Sequence, residues 1–272
     1  MDATWFRPPV RFWDSSVGSI TSPALTTGMD ALHRHYADEV AELDPGHVLV
    51  SMLLPIGDTL FATPAVAALR KHFPLAKITA LVSRSNAGIL EDNPAVDHLV
   101  VVDELGPEHK VLRFARWLSE LRAARYDLVI NFSPVGGIVL RMAGLHRRPL
   151  QVVMPLLWWL IGGHSESYRA RHATEHYLNA IEPILDRRPS EEERQPRLYL
   201  TARDRSRARK LLREWGLSPA NLLIAVHAGG EGFNGRKRWG PERFASVAQQ
   251  LVERFDAYVL LVGGKDDEAL CQ

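Results

Sequence analysis

The pair Gly57-Asp58 follows an apolar segment, Ser51-Met52-Leu53-Leu54-Pro55-Ile56, that reads as the end of a strand and the loop beyond it. In an open parallel sheet ligands bind at the carboxyl ends of the strands, so a carboxylate placed there is a candidate for chemistry on a ligand. Gly57 lets the chain turn tightly, and Asp58 then projects toward the crevice at the start of the following helix. The competing role is structural: an aspartate in this position caps a helix by accepting from free amides two or three residues on. Thr63-Pro64 supplies its own cap and first-turn pair, so the helix can begin there and leave Asp58 without that duty.

Two other patterns invite chemistry. His172 and His176 stand four residues apart, the spacing with which a helix can present two metal ligands, but no His-Glu-x-x-His pattern or cysteine partner accompanies them, so no metal site is expected. Arg203, Arg205, Arg207, Arg209, Lys210 and Arg213 form a basic run that could suggest nucleic acid. They fall on one predicted helix whose buried side would be Leu211 and Leu212, and a solvated helix face accounts for them better.

The elements that would position Asp58 alternate. Apolar runs at His47–Leu53, Ile78–Val82, His98–Val102 and Leu128–Phe132 read as strands. Between them, Ala65–Phe73 and the series Val111, Leu112, Ala115, Leu118, Leu121 carry helical periodicity, and Ile89-Leu90 before Asn93-Pro94 suggests a short helix. Strands apolar along their whole length and separated by helices imply a parallel sheet covered on both faces. The polar stretch from Asp186 to Pro196 reads as an interdomain linker. Beyond it the alternation restarts with a helix at Asp204–Trp215, a strand at Leu222–His227, a helix at Pro241–Phe255 and a strand at Tyr258–Val262. The expected organisation is an N-terminal appendage at 1–45, a first α/β domain at 46–188, and a linker with the first part of a second α/β domain at 189–272.

Composition fits this class. The 272 residues are 46% hydrophobic and 24% charged, enough for one large or two medium α/β domains. A formal net charge of +1 gives no global field for nucleic acid. The one cysteine, Cys271, has no intramolecular mate, which fits a reducing cytoplasm. The N-terminus has Asp2 and Pro8-Pro9 where a secretory signal would have a basic start and an apolar core. Val152–Ile161, with Trp158-Trp159, is shorter than the roughly 20 residues a span requires; it reads as a buried helix or loop, or else as an interfacial patch.

Gly57-Asp58, Thr63-Pro64-Ala65, Leu69-Arg70 and Phe73-Pro74 together resemble the opening signature of the ADP-heptose:lipopolysaccharide heptosyltransferases, glycosyltransferase family 9. Tyr126-Asp127-Leu128-Val129-Ile130 fits that family's intervening strand. Val226-His227-Ala228-Gly229-Gly230, Lys237-Arg238-Trp239, Pro241-Glu242-Arg243-Phe244 and Leu260-Leu261-Val262-Gly263-Gly264 resemble its donor-binding segment. The likeness runs over roughly residues 47–270. It implies a GT-B architecture, two Rossmann-like doubly wound domains with the acceptor on the first and the nucleotide-sugar on the second, the second being incomplete in this chain.

The resemblance also implies transfer of heptose from ADP-heptose with inversion, needing no metal or cofactor beyond the nucleotide-sugar. Asp58 falls on the family's general base. Lys237 falls on the lysine that meets the donor phosphates, where its charge would offset charge building on the departing diphosphate. Gly229 and Gly230 replace hydroxyl residues common in related enzymes, so backbone amides would take over the phosphate contacts. Arg84, Arg147 and Arg148, with Arg141 nearby, are candidates for meeting a phosphorylated glycolipid acceptor, since the guanidinium fork suits phosphate. Each also reads as a solvated surface residue. Such an acceptor would bring the protein to the inner face of the cytoplasmic membrane as a peripheral partner, with no nucleic acid involved.

Three other classes compete. A nucleotide-dependent oxidoreductase would show the same periodicity, but neither opening strand is followed by Gly-x-Gly-x-x-Gly. A non-catalytic sugar-nucleotide-binding protein could use the same scaffold, and so could a transferase of another sugar or to a non-lipid acceptor. Family chains continue past the last strand seen here with further strands and an Asp-Ser/Thr-Gly-x-x-His segment. On that basis the chain alone is expected to lack transfer activity and to have the weaker second domain.

Overall fold

The computed structural model describes residues 44–102, 110–145, 151–153, 172–185, 187–229, 239–264 and 267–268. The chain divides into two compact units that meet at Tyr199 and Leu200. In the first, five strands form one parallel sheet: β1 (His47–Met52), β2 (Lys77–Ser83), β3 (His98–Val102), β4 (Leu128–Asn131) and β5 (Gln151–Val153), in the order β3-β2-β1-β4-β5. The chain builds outward from β1 to β3 on one side and then returns to add β4 and β5 on the other. β1 and β4 therefore flank the switch point, where their carboxyl ends diverge into a crevice.

Between the strands run α1 (Ile56–Phe61), α2 (Thr63–His72), a single 3-10 turn at Arg84–Asn86, α3 (Ala87–Leu90), α4 (Lys110–Ala123) and α5 (Pro134–Met142); α6 (Ala173–Ile181) comes after β5. Alternation along β1 explains the layers. Val48, Val50 and Met52 face α2 and α6, packing with Val66, Leu69, Phe132, Leu178 and Ile181. Leu49 faces the other way, onto Trp117, Leu118 and Leu121 of α4 and Val139 and Leu140 of α5. Both clusters are shut off from water, and each full-sized apolar side chain so buried contributes about 1.5–3 kcal/mol.

Several polar residues in the first unit hold turns. Arg70 donates to the carbonyls of Pro74 and Ala76 and pairs with Asp97, which in turn accepts from the Ile78 amide at 2.6 Å. Asp127 accepts from the His47 amide at 2.9 Å. These motif residues thus fix the fold. The segment 187–199 lies on α2: Lys71 reaches Glu193 at 2.6 Å, and the Arg197 amide donates to Thr63 Oγ1 at 3.2 Å. A cavity of about 370 Å³ lies beneath it, lined by Thr63, Ala67, Lys71, Leu185, Arg197 and Tyr199.

In the second unit α7 (Ala202–Glu214), β6 (Leu223–Val226), α8 (Pro241–Phe255) and β7 (Tyr258–Leu261) are described, with β6 and β7 pairing in parallel. Neither α7 nor α8 contains a buried residue. The basic run on α7 is solvated as expected, but Leu211 is itself 39% exposed, so no buried leucine side exists there.

The parallel α/β reading holds, with corrections. The segment Ile56–Phe61, expected as loop, is the helix α1, while α2 begins at Thr63, where the Thr63-Pro64 pair places its start. Gln151–Val153 is a strand that overlaps the start of Val152–Ile161, a run whose pattern reads as a buried helix or loop, or else as an interfacial patch; Trp158 and Trp159 lie outside the described residues. The appendage to residue 43 and Cys271 also lie outside them. No described helix is long and apolar enough to cross a membrane.

Candidate active site

Asp58 stands in the first turn of α1, immediately beyond β1 at the switch point. It is not a cap: Pro55 precedes the helix, and no side chain makes a capping hydrogen bond there. α2 does begin at Thr63 with Pro64 behind it, but the Thr63 hydroxyl donates to Leu60 O at 2.7 Å and caps nothing. Gly57 has helical backbone within α1 and no positive φ, so the tight turn expected of it is not made.

The Asp58 carboxylate is half-buried and is gripped from a distant part of the chain. Tyr177 of α6 donates its hydroxyl to Asp58 Oδ1 at 2.9 Å. Among the described residues no hydrogen bond is recorded to Oδ2. Tyr177 is 5% exposed, and its ring meets Phe132 edge-on with centroids 5.3 Å apart. His172 accepts from the Thr174 amide as the cap of α6, and its ring packs edge-on against Phe61 of α1 at 4.9 Å. Asn86 donates to Leu54 O at 2.5 Å and to Thr59 Oγ1 at 3.0 Å, which ties down the loop leading into α1 and the turn that carries Asp58.

The carboxyl end of β4 completes the floor. Ser133 caps α5 by accepting from the Gly136 amide at 3.2 Å and donates to Leu53 O at 2.6 Å, tying the two sides of the switch point together. Chemically, this is a carboxylate with one oxygen held and the other unengaged among the described residues, set on regular elements beside a crevice. Such a group can take a proton from a bound hydroxyl. Sequence reasoning missed Tyr177, Asn86 and Ser133, because only the fold brings them together.

Arg84 is exposed in the 3-10 turn after β2, on the same edge of the sheet as Asp58. Arg141 is not on that edge: α5 starts at the carboxyl end of β4 and runs back, leaving Arg141 in its last turn near Arg122, which donates to Met142 O. Arg147 and Arg148 lie outside the described residues. Although His172 caps α6 and His176 follows on the same helix, no metal-holding group of three His, Cys, Asp or Glu occurs among the described residues.

In the second unit Gly229 follows β6. The space where a Cβ would stand is filled by Asp267, whose carboxylate atoms lie 2.2–2.5 Å from that position and which accepts from the Gly264 amide at 3.0 Å. A Cβ there would require the Asp267 side chain to swing aside. Gly230 and Lys237 lie outside the described residues.

No protein-family profile matches the chain. Among curated proteins it is 33% identical over 79 residues to lipopolysaccharide heptosyltransferase 3 of Escherichia coli, covering 28% of this chain and 23% of that protein. To the protein of the same name from Escherichia coli strain K12 it is 28% identical over 137 residues, 47% of this chain and 39% of that protein. The chain thus spans less than half the length of either relative. Among solved structures, the glycosyl transferase family 9 protein of Veillonella parvula superposes with a TM-score of 0.68 at 25% identity, covering 86% of this chain and 67% of that one. The chain is similar to glycosyltransferase family 9. Its fold also matches that of Escherichia coli heptosyltransferase WaaC, solved with ADP-2-deoxy-2-fluoro heptose, with a TM-score of 0.55 at 17% identity over 82% of this chain and 71% of that one. These neighbours have the GT-B fold, and the two α/β units described above are of that class.

Proposed function

We propose that this chain carries the acceptor side, and part of the donor side, of an inverting sugar transferase that moves heptose from ADP-heptose to a hydroxyl of a phosphorylated lipopolysaccharide core. The observation that carries the reading is Asp58 at the switch point, held through Oδ1 with Oδ2 unengaged among the described residues. Family 9 likeness supports the transferase class, and the nucleotide-sugar analogue bound by WaaC supports the donor.

In the proposed step Asp58 takes the proton of the acceptor hydroxyl while its oxygen bonds to the anomeric carbon. The bond from that carbon to the β-phosphate oxygen breaks, and its electron pair leaves with ADP. Attack opposite the leaving group inverts the anomeric centre. Holding both sugars in a partly desolvated crevice supplies orientation, and a cation at Lys237 would offset the charge on the departing diphosphate. Backbone amides after β6 and at Gly230 would meet the phosphates. Arg84, Arg147 and Arg148 are proposed to meet acceptor phosphates, and a lipid acceptor would place the protein peripherally at the inner face of the cytoplasmic membrane.

The test, made on the full-length protein that carries this chain, measures ADP release from ADP-heptose in the presence of a heptose-lacking lipopolysaccharide core. Asp58→Asn, nearly isosteric but unable to take the proton, should lower turnover by about 10²–10⁴-fold with the fold intact. Turnover equal to wild type would sink the base assignment. Transfer from UDP-glucose in place of ADP-heptose would move the reading to another sugar.

A further inference from the structure

Tyr177 raises a question that packing alone leaves unanswered. Its ring fills the space between α6 and the sheet against Phe132, a task phenylalanine would perform equally well. A buried hydroxyl costs free energy unless it is bonded, so the phenol's polar end needs a reason to be there. It finds one in the Asp58 carboxylate, 119 residues away in sequence.

Both ends of that bond are fixed. Tyr177 is 5% exposed on α6, whose first turn is capped by His172 and anchored by the His172–Phe61 ring contact. Asp58 rides on α1, whose entry loop is held by Asn86. A half-buried aspartate would otherwise be free to turn about its two side-chain bonds. Pinning one oxygen to a rigid phenol sets the direction of the other.

We infer that Tyr177 is a positioning residue for the transfer: it holds Asp58 by Oδ1 and so aims Oδ2 at the acceptor hydroxyl, an inference that rests on the reading of Asp58 as the base. The bond is charge-assisted when Asp58 is ionised, the state in which the carboxylate must wait for its proton. Tyr177 itself neither gives nor takes a proton in the step.

Three variants of the full-length protein that carries this chain decide the matter: Tyr177→Phe, Asp58→Asn and the double variant, with ADP-heptose and the heptose-lacking core as substrates. Misaiming a base by a fraction of its reach should lower kcat in Tyr177→Phe by about 10- to 100-fold, with KM for both substrates and the melting temperature unchanged. In the Asp58→Asn background the same substitution should cost nothing further, because there is no base left to aim.

Wild-type kcat in Tyr177→Phe, beside a disabled Asp58→Asn, would overturn the positioning role and leave the base reading standing. Wild-type turnover in Asp58→Asn would overturn both. A further multiplicative loss in the double variant would show that Tyr177 acts elsewhere. Should Tyr177→Phe fail to fold, 3-fluorotyrosine at position 177, which keeps the ring and makes the hydroxyl a stronger donor, takes its place. A changed kcat at unchanged KM then supports the role, and an unchanged kcat overturns it.

Discussion

Gly136 passes directly over Ser51: a Cβ on Gly136 would stand 2.2 Å from Ser51 Oγ and 2.3 Å from Asn131 Oδ1. Ser51 and Asn131 are register partners at the carboxyl ends of β1 and β4, both buried, so neither can step aside into solvent. The first turn of α5 is thereby seated on the switch point. Gly136→Ala should destabilise the first unit by about 1–3 kcal/mol, the usual cost of overpacking. Urea unfolding followed by tryptophan fluorescence reads the shift, and an unchanged midpoint would mean that α5 can lift away freely.

Gly57 is the contrasting case. It has helical backbone, and nothing lies within 4 Å of its Cβ position. Gly57→Ala should therefore keep the fold and raise stability by about 0.4–1 kcal/mol through the unfolded chain. A loss of stability by the same measurement would show that the glycine is needed for the conformation of α1 after all.

Thr201 matters because α7 has no buried face to hold it. The helix buries no residue, yet Thr201 and Asp204 form a reciprocal capping box: the Asp204 amide donates to Thr201 Oγ1 at 3.1 Å, and the Thr201 amide to Asp204 Oδ2 at 2.9 Å. Thr201→Ala should cost about 1 kcal/mol, read as faster amide exchange through Ala202–Glu214 with the first unit unaffected. Unchanged exchange there would assign the helix's order to something other than its cap.

His47 should make the protein acid-sensitive. Burial holds its pKa below the ordinary 6.5, with Lys77 and His98 adding to the effect and Asp127 opposing it, while its Nε2 lies 2.9 Å from Thr79 Oγ1. The unfolded chain thus binds this proton more readily than the folded one. Stability from this group therefore rises with pH from the lowered folded value up to about 6.5 and is least below that window. Urea midpoints at pH 5 and pH 7.5 should differ in wild type and differ less in His47→Asn; equal differences in the two proteins would discharge His47 from the effect.

What could be read from the sequence was the part written locally. β3 and α8 have the predicted bounds, because His98–Val102 is an unbroken apolar run and Pro241–Phe255 is a long amphipathic period with proline at its start. α1 escaped because six residues containing a glycine carry too little periodicity, and Leu211 proved exposed because a pattern says which side is apolar but not what covers it. Asp58 was visible through its place after a strand. Its partner was not: nothing near Tyr177 in sequence refers to residue 58, and their meeting depends on α6 returning to the face of the sheet that α2 already covers. Asp267 was hidden in the same way, since the glycine it packs against lies across β6 and β7.

The separation of 119 residues from Asp58 to Tyr177 also sets an order of events during synthesis. At about 5–20 residues per second, a ribosome needs roughly 6–24 s after placing Asp58 before it places Tyr177. β1 is already made when that interval begins, and β2 to β5 follow within it, so the five strands can pair before the phenol exists. On a nascent chain the carboxylate is exposed and unaimed while its scaffold forms around it, and the last helix of the first unit to be made is the one that completes the grip.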